Sequence, residues 1–571
     1  MNDQNVDVLL ICPPFQYPYL SSLSIAGPAA YLREKGVRCT ESYQHLEFFR
    51  IIGRDRYEEI NSVVNGRNNG QTAELLFAEG LHGPIEDPEL LAELERMLGS
   101  AEERKSERDR LAERVLRTVE YENPKIVGIT TSYTQLVAAL WTARIIKAAR
   151  PNVLIVLGGS ACTAPMGPRI LEGYEDIDYV IGGFGEAPLL DLARGNRPSE
   201  KFIECPDPLP FEALPLPDYR PYLREAAELV PDMAPKLLFQ SSRGCWWGAK
   251  KHCTFCGLNR GQMTFSAKEE DCVLSDIRTL WERHGLNLLA TDSIMARNHF
   301  KNVLPKLAHF SSRPTIFYEM KANMTQPDVA AMQRASVFGQ MGIESLNTRL
   351  LKIMHKGVSA IRVIGLLKWC QELGIQVVWN QLCGIPGERE EDYDEQIALM
   401  KKLPQLPPPF RANPVIIDRY SPYFDNFEAY GWKKIKPIPQ YRAAHPHLSD
   451  EALMDIAYHF EGEGGVTTAA YIERFDGAVQ EWKARHERGD GLFFSPYLGL
   501  LRSEKGEKQS IVINETVRRI INATHNIIST ARLIEETGCD ESLLSEMVEN
   551  GFLYIENKNV INLAVRLEMK A

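Results

Sequence analysis

Unbroken apolar runs that stop abruptly at Gly, Pro, Ser or Thr recur through the first two hundred residues, and they restrict the fold more than any other feature. Val8-Leu9-Leu10-Ile11 leads into Pro13-Pro14, Ile126-Val127-Gly128-Ile129 into Thr130-Thr131-Ser132-Tyr133, and Val153-Leu154-Ile155-Val156-Leu157 into Gly158-Gly159. Tyr179-Val180-Ile181 runs into Gly182-Gly183-Phe184-Gly185-Glu186. Runs without polar alternation belong to strands covered on both faces, hence to a parallel sheet. Between them Leu136, Ala139, Leu140, Ala143 and Ile146 keep a helical period. The expected result over 1–198 is a Rossmann-like doubly wound domain, with its ligand beyond the carboxyl ends of the strands. No G-x-G-x-x-G follows the first run, which disfavours a dinucleotide.

A second series begins at Leu237-Leu238-Phe239, followed by Ser-Ser-Arg-Gly and then Cys245, Cys253 and Cys256, with Phe255 just before the last cysteine. Further apolar runs lie at Leu286 to Ala290, Thr315 to Phe317, Gly339 to Ile343, Gln376 to Leu382 and Val415 to Ile417. Helical stretches separate them, as in Val363, Leu366, Leu367, Cys370 and Leu373. Strand-helix repetition predicts a partial (β/α)6 barrel over 236–435, whose chemistry sits just after each strand. Three thiolates leave one iron of a [4Fe-4S] cube open to a substrate. The competing reading is a structural zinc site in which His252 joins the three thiolates, on a non-catalytic peptide-binding scaffold.

With Phe255 placed as it is, the cysteines resemble those of radical S-adenosylmethionine (SAM) enzymes, although seven residues stand where the usual motif has three. The resemblance implies that Cys245, Cys253 and Cys256 hold the cluster. It implies that SAM is contacted by Phe255, by Asp292, Glu319, Lys321 and Glu344 after successive strands, and by the turn of Gly384, Ile385 and Gly387. The N-terminal runs resemble a cobalamin-binding domain, which implies corrinoid contacts from Pro14, Ser132, Tyr133, Gly158, Gly159, Gly183, Gly185 and Glu186. The D-x-H-x-x-G signature is absent, so no lower axial histidine is expected. Together with Ser242-Arg243-Gly244-Cys245-Trp246-Trp247-Gly248 and Asp418 to Phe424, the chain from about residue 5 to 435 resembles the cobalamin-dependent radical SAM enzymes that mature ribosomally synthesised peptides (RiPPs). That family implies a precursor peptide as substrate, a reductant such as flavodoxin or ferredoxin, and C-methylation of an unactivated sp3 carbon. Cyclisation, epimerisation or rearrangement of a peptide residue uses the same cofactors and is the alternative. No residue is assigned as a catalytic acid or base.

The remaining segments are read from composition. A net charge of −11 argues against a nucleic-acid partner. Eleven cysteines, scattered apart from the loop, fit reduced thiols and a cytoplasmic setting rather than a disulfide framework. No signal peptide or membrane-spanning run is expected. Residues 51–122 form a charge-rich helical insertion with a narrow stripe of Leu111, Val115 and Leu116, and 199–235 a proline-rich connector. A helical region is expected over 436–505, its His445, His447, His459 and His486 without a metal role, and a winged-helix-like module over 506–571.

Overall fold

The computed structural model describes residues 6–61, 69–261, 263–464 and 469–567. The chain divides into two compact units, one made of Met1–Phe239 with Ile435–Gly462 and the other of Gln240–Lys434 with Glu463–Ala571.

The first unit is built on a six-stranded parallel sheet in the order Cys39–Tyr43, Val8–Cys12, Ile126–Thr131, Leu154–Gly159, Tyr179–Gly183, Phe202–Cys205. Register is set by Val8 opposite both Cys39 and Ile126, Ile126 opposite Leu154, Val156 opposite Tyr179 and Val180 opposite Phe202. Val8–Cys12 and Ile126–Thr131 are buried at every position, as helices on both faces require. The strand order reverses between the Val8 and Ile126 strands, which is where such sheets open a crevice.

Three expectations change here. The stretch 199–235 is no free connector: Phe202–Cys205 is the edge strand and Arg220–Leu229 a helix that buries Tyr222 and Ala226. Its prolines interrupt rather than exclude regular structure. The insertion is more than a solvated helix. Within Ala101–Glu122 the polar Arg104 and Glu107 are buried beside Leu111, Val115 and Val119. Arg104 pairs with Glu79 at 2.7 Å and Glu107 with Arg56 at 2.6 Å, so charge on this face ties helices together. Finally, Ile435–Gly462 returns to the first unit. There Tyr458 stacks on Tyr133 at 3.5 Å between ring centroids, and the Tyr174 hydroxyl meets His445 Nδ1 at 2.5 Å.

In the second unit the parallel strands follow chain order: Leu288–Ala290, Ile316–Lys321, Val337–Gly342, the interrupted pair Val377–Val378 and Gln381–Cys383, and Ala412–Pro414. Leu288 and Val337 both pair with Ile316, Gly339 with Val377, Glu344 bridges to Gln381, and Gln381 pairs with Ala412. The helices Glu270–His284, Gln326–Arg334, Ala360–Glu372 and Glu390–Met400 fall between them. This is the expected sequential α/β arrangement, preceded in the chain by the short strand Leu237–Phe239.

The end of the chain carries helices Glu515–Ala523, Thr530–Thr537 and Glu541–Glu549, then a hairpin of Leu553–Glu556 and Asn559–Asn562. Its two-residue turn puts Asn557 and Lys558 at positive φ, which matches the strand twist. The helical expectation for 436–505 fails at Lys434–Pro437, His459–Glu463, Gly491–Ser495 and Gly499–Glu504, all strands. Gly491–Ser495 and Gly499–Glu504 form the antiparallel centre of a sheet completed by Glu507–Ile511 and Val565–Arg566. Leu492 and Phe494 gain their burial only once Leu500, Ile520 and Leu544 are folded against them. This region is anchored on the barrel helix Ala360–Glu372: Glu556 accepts from Ile361 N at 3.1 Å, Lys368 Nζ donates to His525 O at 3.1 Å, and Arg566 N donates to Glu372 at 2.9 Å. Among the described residues no helix is long and apolar enough to cross a membrane.

Candidate cofactor site

The three cysteines lie on one loop of the second unit, each half-buried. The spacer folds tightly, with Ala249 N donating to Cys245 O at 2.9 Å and both Lys250 N and Lys251 N to Trp247 O, at 2.9 and 2.8 Å. Cys256 N donates to Cys253 O at 3.2 Å. Burial pushes the Cys256 thiol up to about 12 and that of Cys253 in the same direction; Cys245 raises both further and Cys253 raises Cys256, while Lys356 opposes the shift at both. Mutual repulsion opposes gathering three bare thiolates, and among the described residues no group of three ligating side chains is set close enough to hold a metal ion as it stands. An incoming cation would supply the missing attraction and displace the thiol protons. His252 turns its Nε2 to the Cys256 carbonyl at 2.7 Å.

The long spacer has a structural use that the sequence did not disclose. Trp246 Nε1 donates to Met295 O at 3.1 Å, beyond the Leu288–Ala290 strand, and Trp247 Nε1 donates to His355 O at 3.0 Å. The Trp247 ring lies against Gly357, which has φ +61°; a Cβ there would stand 2.1 Å from the indole. Lys321 Nζ sits 3.6 Å from the centre of that ring, a cation-π contact, and donates to the Lys356 carbonyl. The two indoles therefore fasten the cysteine loop to two separate parts of the barrel.

Around this loop stand most of the residues expected to contact SAM. Glu344 has φ +65°, pairs with Lys356 at 3.1 Å through Oε1, and keeps Oε2 buried without a hydrogen-bond partner. Burial opposes the Lys356 ammonium, but Glu344 and Cys253 more than offset it and hold its pKa above the ordinary lysine value. Lys356 also faces Phe255 at 5.5 Å; sequence reasoning missed this lysine because nothing in its local pattern marks it. Burial lowers Lys321 to about 8, with Lys356 adding repulsion. Burial raises Glu319 to about 7, helped by Glu344 and Asp292.

Two acids are already engaged. Asp292 accepts from Ser241 N at 2.8 Å and from the hydroxyls of Ser241 and Ser242 at 2.6 Å, so the structure gives it a brace to the cysteine loop's entry. Glu388 closes the Gly384-Ile385-Pro386-Gly387 turn, accepting from Ile385 N at 2.5 Å, from Tyr471 at 2.6 Å and from Tyr393. Gly384 and Gly387 both lie at positive φ, as that turn requires. Cys383 is fully buried beside the turn, a packing role.

In the first unit, Gly159 at φ +117° and Gly183 at φ +110° allow strand ends to approach backbone that a Cβ would strike, at 2.1 Å from Thr131 O and 2.0 Å from Cys205 O. Gly158 and Gly185 have no atom within 4 Å of their Cβ positions, which leaves open space at the carboxyl ends of these strands. That open rim, with half-buried Ser132 and Glu186 on it, fits a broad flat ligand. Pro14 and Tyr133 are placed differently. Pro14 is buried, with Gln135 Nε2 bonded to the adjacent Pro13 carbonyl at 2.8 Å, and one face of Tyr133 is covered by Tyr458.

Residues 239–400 match the family model of the Radical SAM superfamily, and this segment is a radical SAM domain. An uncharacterized methyltransferase of Pyrococcus horikoshii is 25% identical over 321 residues, 49% of this chain and 65% of that protein. The tRNA-2-methylthio-N(6)-dimethylallyladenosine synthase of Methylococcus capsulatus is 21% identical over 281 residues, covering 46% and 57%. The matched regions thus span less than two thirds of these relatives. Among solved structures, the radical SAM methyltransferase TsrM from Kitasatospora setae, with cobalamin and a [4Fe-4S] cluster bound, superimposes with a TM-score of 0.54 at 15% identity, over 84% of this chain and 89% of its own. The same enzyme with tryptophan and a SAM analogue gives 0.56 at 13% identity, over 84% and 88%. At such identities the likeness is one of fold.

Proposed function

We propose that this chain is a cobalamin-dependent radical SAM methyltransferase that modifies a precursor peptide at an unactivated sp3 carbon. The observation that carries the reading is the cysteine loop of a radical SAM domain, fastened by Trp246 and Trp247 beside the buried free oxygen of Glu344. Likeness of fold to a cobalamin-bound methyltransferase over most of the chain supports the corrinoid. The peptide substrate rests on the Ser242 to Gly248 loop alone.

In this reading Cys245, Cys253 and Cys256 hold the cluster. Glu344 Oε2, Phe255 and the Gly384 to Gly387 turn receive SAM, with Lys321 and Lys356 supplying positive charge beside the thiolates. Gly158, Gly159, Gly183 and Gly185, with Ser132, seat the corrinoid. When bound, these groups supply a carbon-centred radical from SAM and a transferable methyl group. The protein's own work is placement and exclusion of water: Glu388 holds the nucleoside turn, Asp292 fixes the loop's entry, and the indoles close it.

The test is anaerobic purification with iron, sulfide, zinc and corrinoid quantified, followed by SAM turnover. Iron with corrinoid, 5′-deoxyadenosine and S-adenosylhomocysteine formed together, and a peptide heavier by one methyl are expected. Alanine at Cys245, Cys253 and Cys256 should abolish iron binding and SAM cleavage. Cleavage that survives all three changes refutes the reading.

A further inference from the structure

The spacer between Cys245 and Cys253 has two faces. Its indoles point into the barrel, while the turn that bonds Lys250 N and Lys251 N back to Trp247 O leaves both lysine side chains exposed. Neither lysine forms an ion pair among the described residues. Leu258, just past Cys256, is 49% exposed, an apolar spot on the same loop. Arg297 is also exposed and lies over the Trp246 ring at 5.6 Å. Two acids bear on this loop: Glu344 acts electrostatically on Cys253 and Asp425 on His252.

We propose that Lys250 and Lys251, with Leu258 on the same loop and Arg297 over the Trp246 ring, form the docking surface for an acidic one-electron carrier protein. This rests on the cluster assignment above. A chain of net charge −11 repels an acidic partner at long range, so productive approach needs a local cationic patch, and here that patch lies between two of the proposed ligands. An exposed apolar residue within a cationic rim is the ordinary composition of a transient protein contact. In the encounter the carrier is oxidised by one electron and the cluster reduced by one; no bond changes and no proton moves in that step.

The experiment compares the reconstituted holoenzyme with its K250E/K251E variant, measuring flavodoxin affinity by titration calorimetry, which should weaken at least about tenfold in the variant, and SAM cleavage driven by dithionite and by reduced flavodoxin. With dithionite the two should cleave SAM equally. With flavodoxin, kcat/KM should fall at least about tenfold in the variant and lose much of its salt dependence, because reversed rim charges act on association. Equal loss with both reductants, or an unchanged flavodoxin rate, overturns the docking surface. A wild-type holoenzyme that cleaves no SAM with dithionite overturns the functional reading itself, and is told apart by its dithionite arm.

Discussion

Gly357→Ala tests the fastening of the cysteine loop. At φ +61° an L-residue pays about 1–3 kcal/mol for its backbone conformation. The new Cβ would also stand 2.1 Å from Trp247 Cη2, where carbon contacts need about 3.5 Å, so the indole must retreat by about 1.4 Å. Overpacking of that kind costs about a further 1–3 kcal/mol. Retreat strains the Trp247 Nε1 bond to His355 O and the Lys321 contact with the ring. In a Trp247→Ala background the collision vanishes and only the backbone cost remains. Urea unfolding of the single and double variants, followed by far-UV circular dichroism under anaerobic conditions, should therefore give a coupling of about 1–3 kcal/mol. Iron content after reconstitution should fall in Gly357→Ala. If the glycine substitution costs the same with and without the indole, or costs nothing, the fastening argument fails.

Other perturbations separate the remaining parts. Gly159→Val should distort the strand end and abolish corrinoid retention, and Gly158→Val, which fills the open space at its Cβ without meeting protein atoms, should weaken it; full retention by both would show the rim is misplaced. Tyr471→Phe removes a 2.6 Å bond to Glu388, worth about 1.5–3 kcal/mol, and should raise KM for SAM more than it lowers kcat. Glu74 caps Val137 N and Ala138 N at 2.9 and 3.1 Å, and burial raises its pKa from 4.5 to about 8. The folded state then holds a proton that the unfolded chain has lost, so this contribution is full below pH 4.5 and is lost as pH rises toward 8. Stability measured across that window should decline less steeply in Glu74→Gln, and an unchanged slope would contradict the assignment.

Both parallel sheets were legible in the chain, because runs such as Val8 to Ile11 and Ile126 to Ile129 have no polar face to offer water. It also located the cysteine loop and the Gly384 to Gly387 turn, whose conformations are local. Strands of 436–505 were not legible, since Leu492 and Phe494 depend on partners such as Leu500 and Leu544 supplied by later chain. Nor was the return of Ile435–Gly462 to the first unit, where Tyr458 covers a Tyr133 face that local pattern left open. Which acids are engaged depends on contacts between distant parts of the chain. Asp292 and Glu388 look alike with Glu344 in the chain, yet serine and tyrosine hydroxyls take up the first two, while one oxygen of Glu344 stays buried and unbonded. The Trp246 and Trp247 contacts were hidden for the same reason: a hydrogen bond to Met295 or His355 joins residues far apart in sequence, and no periodicity records such a pairing.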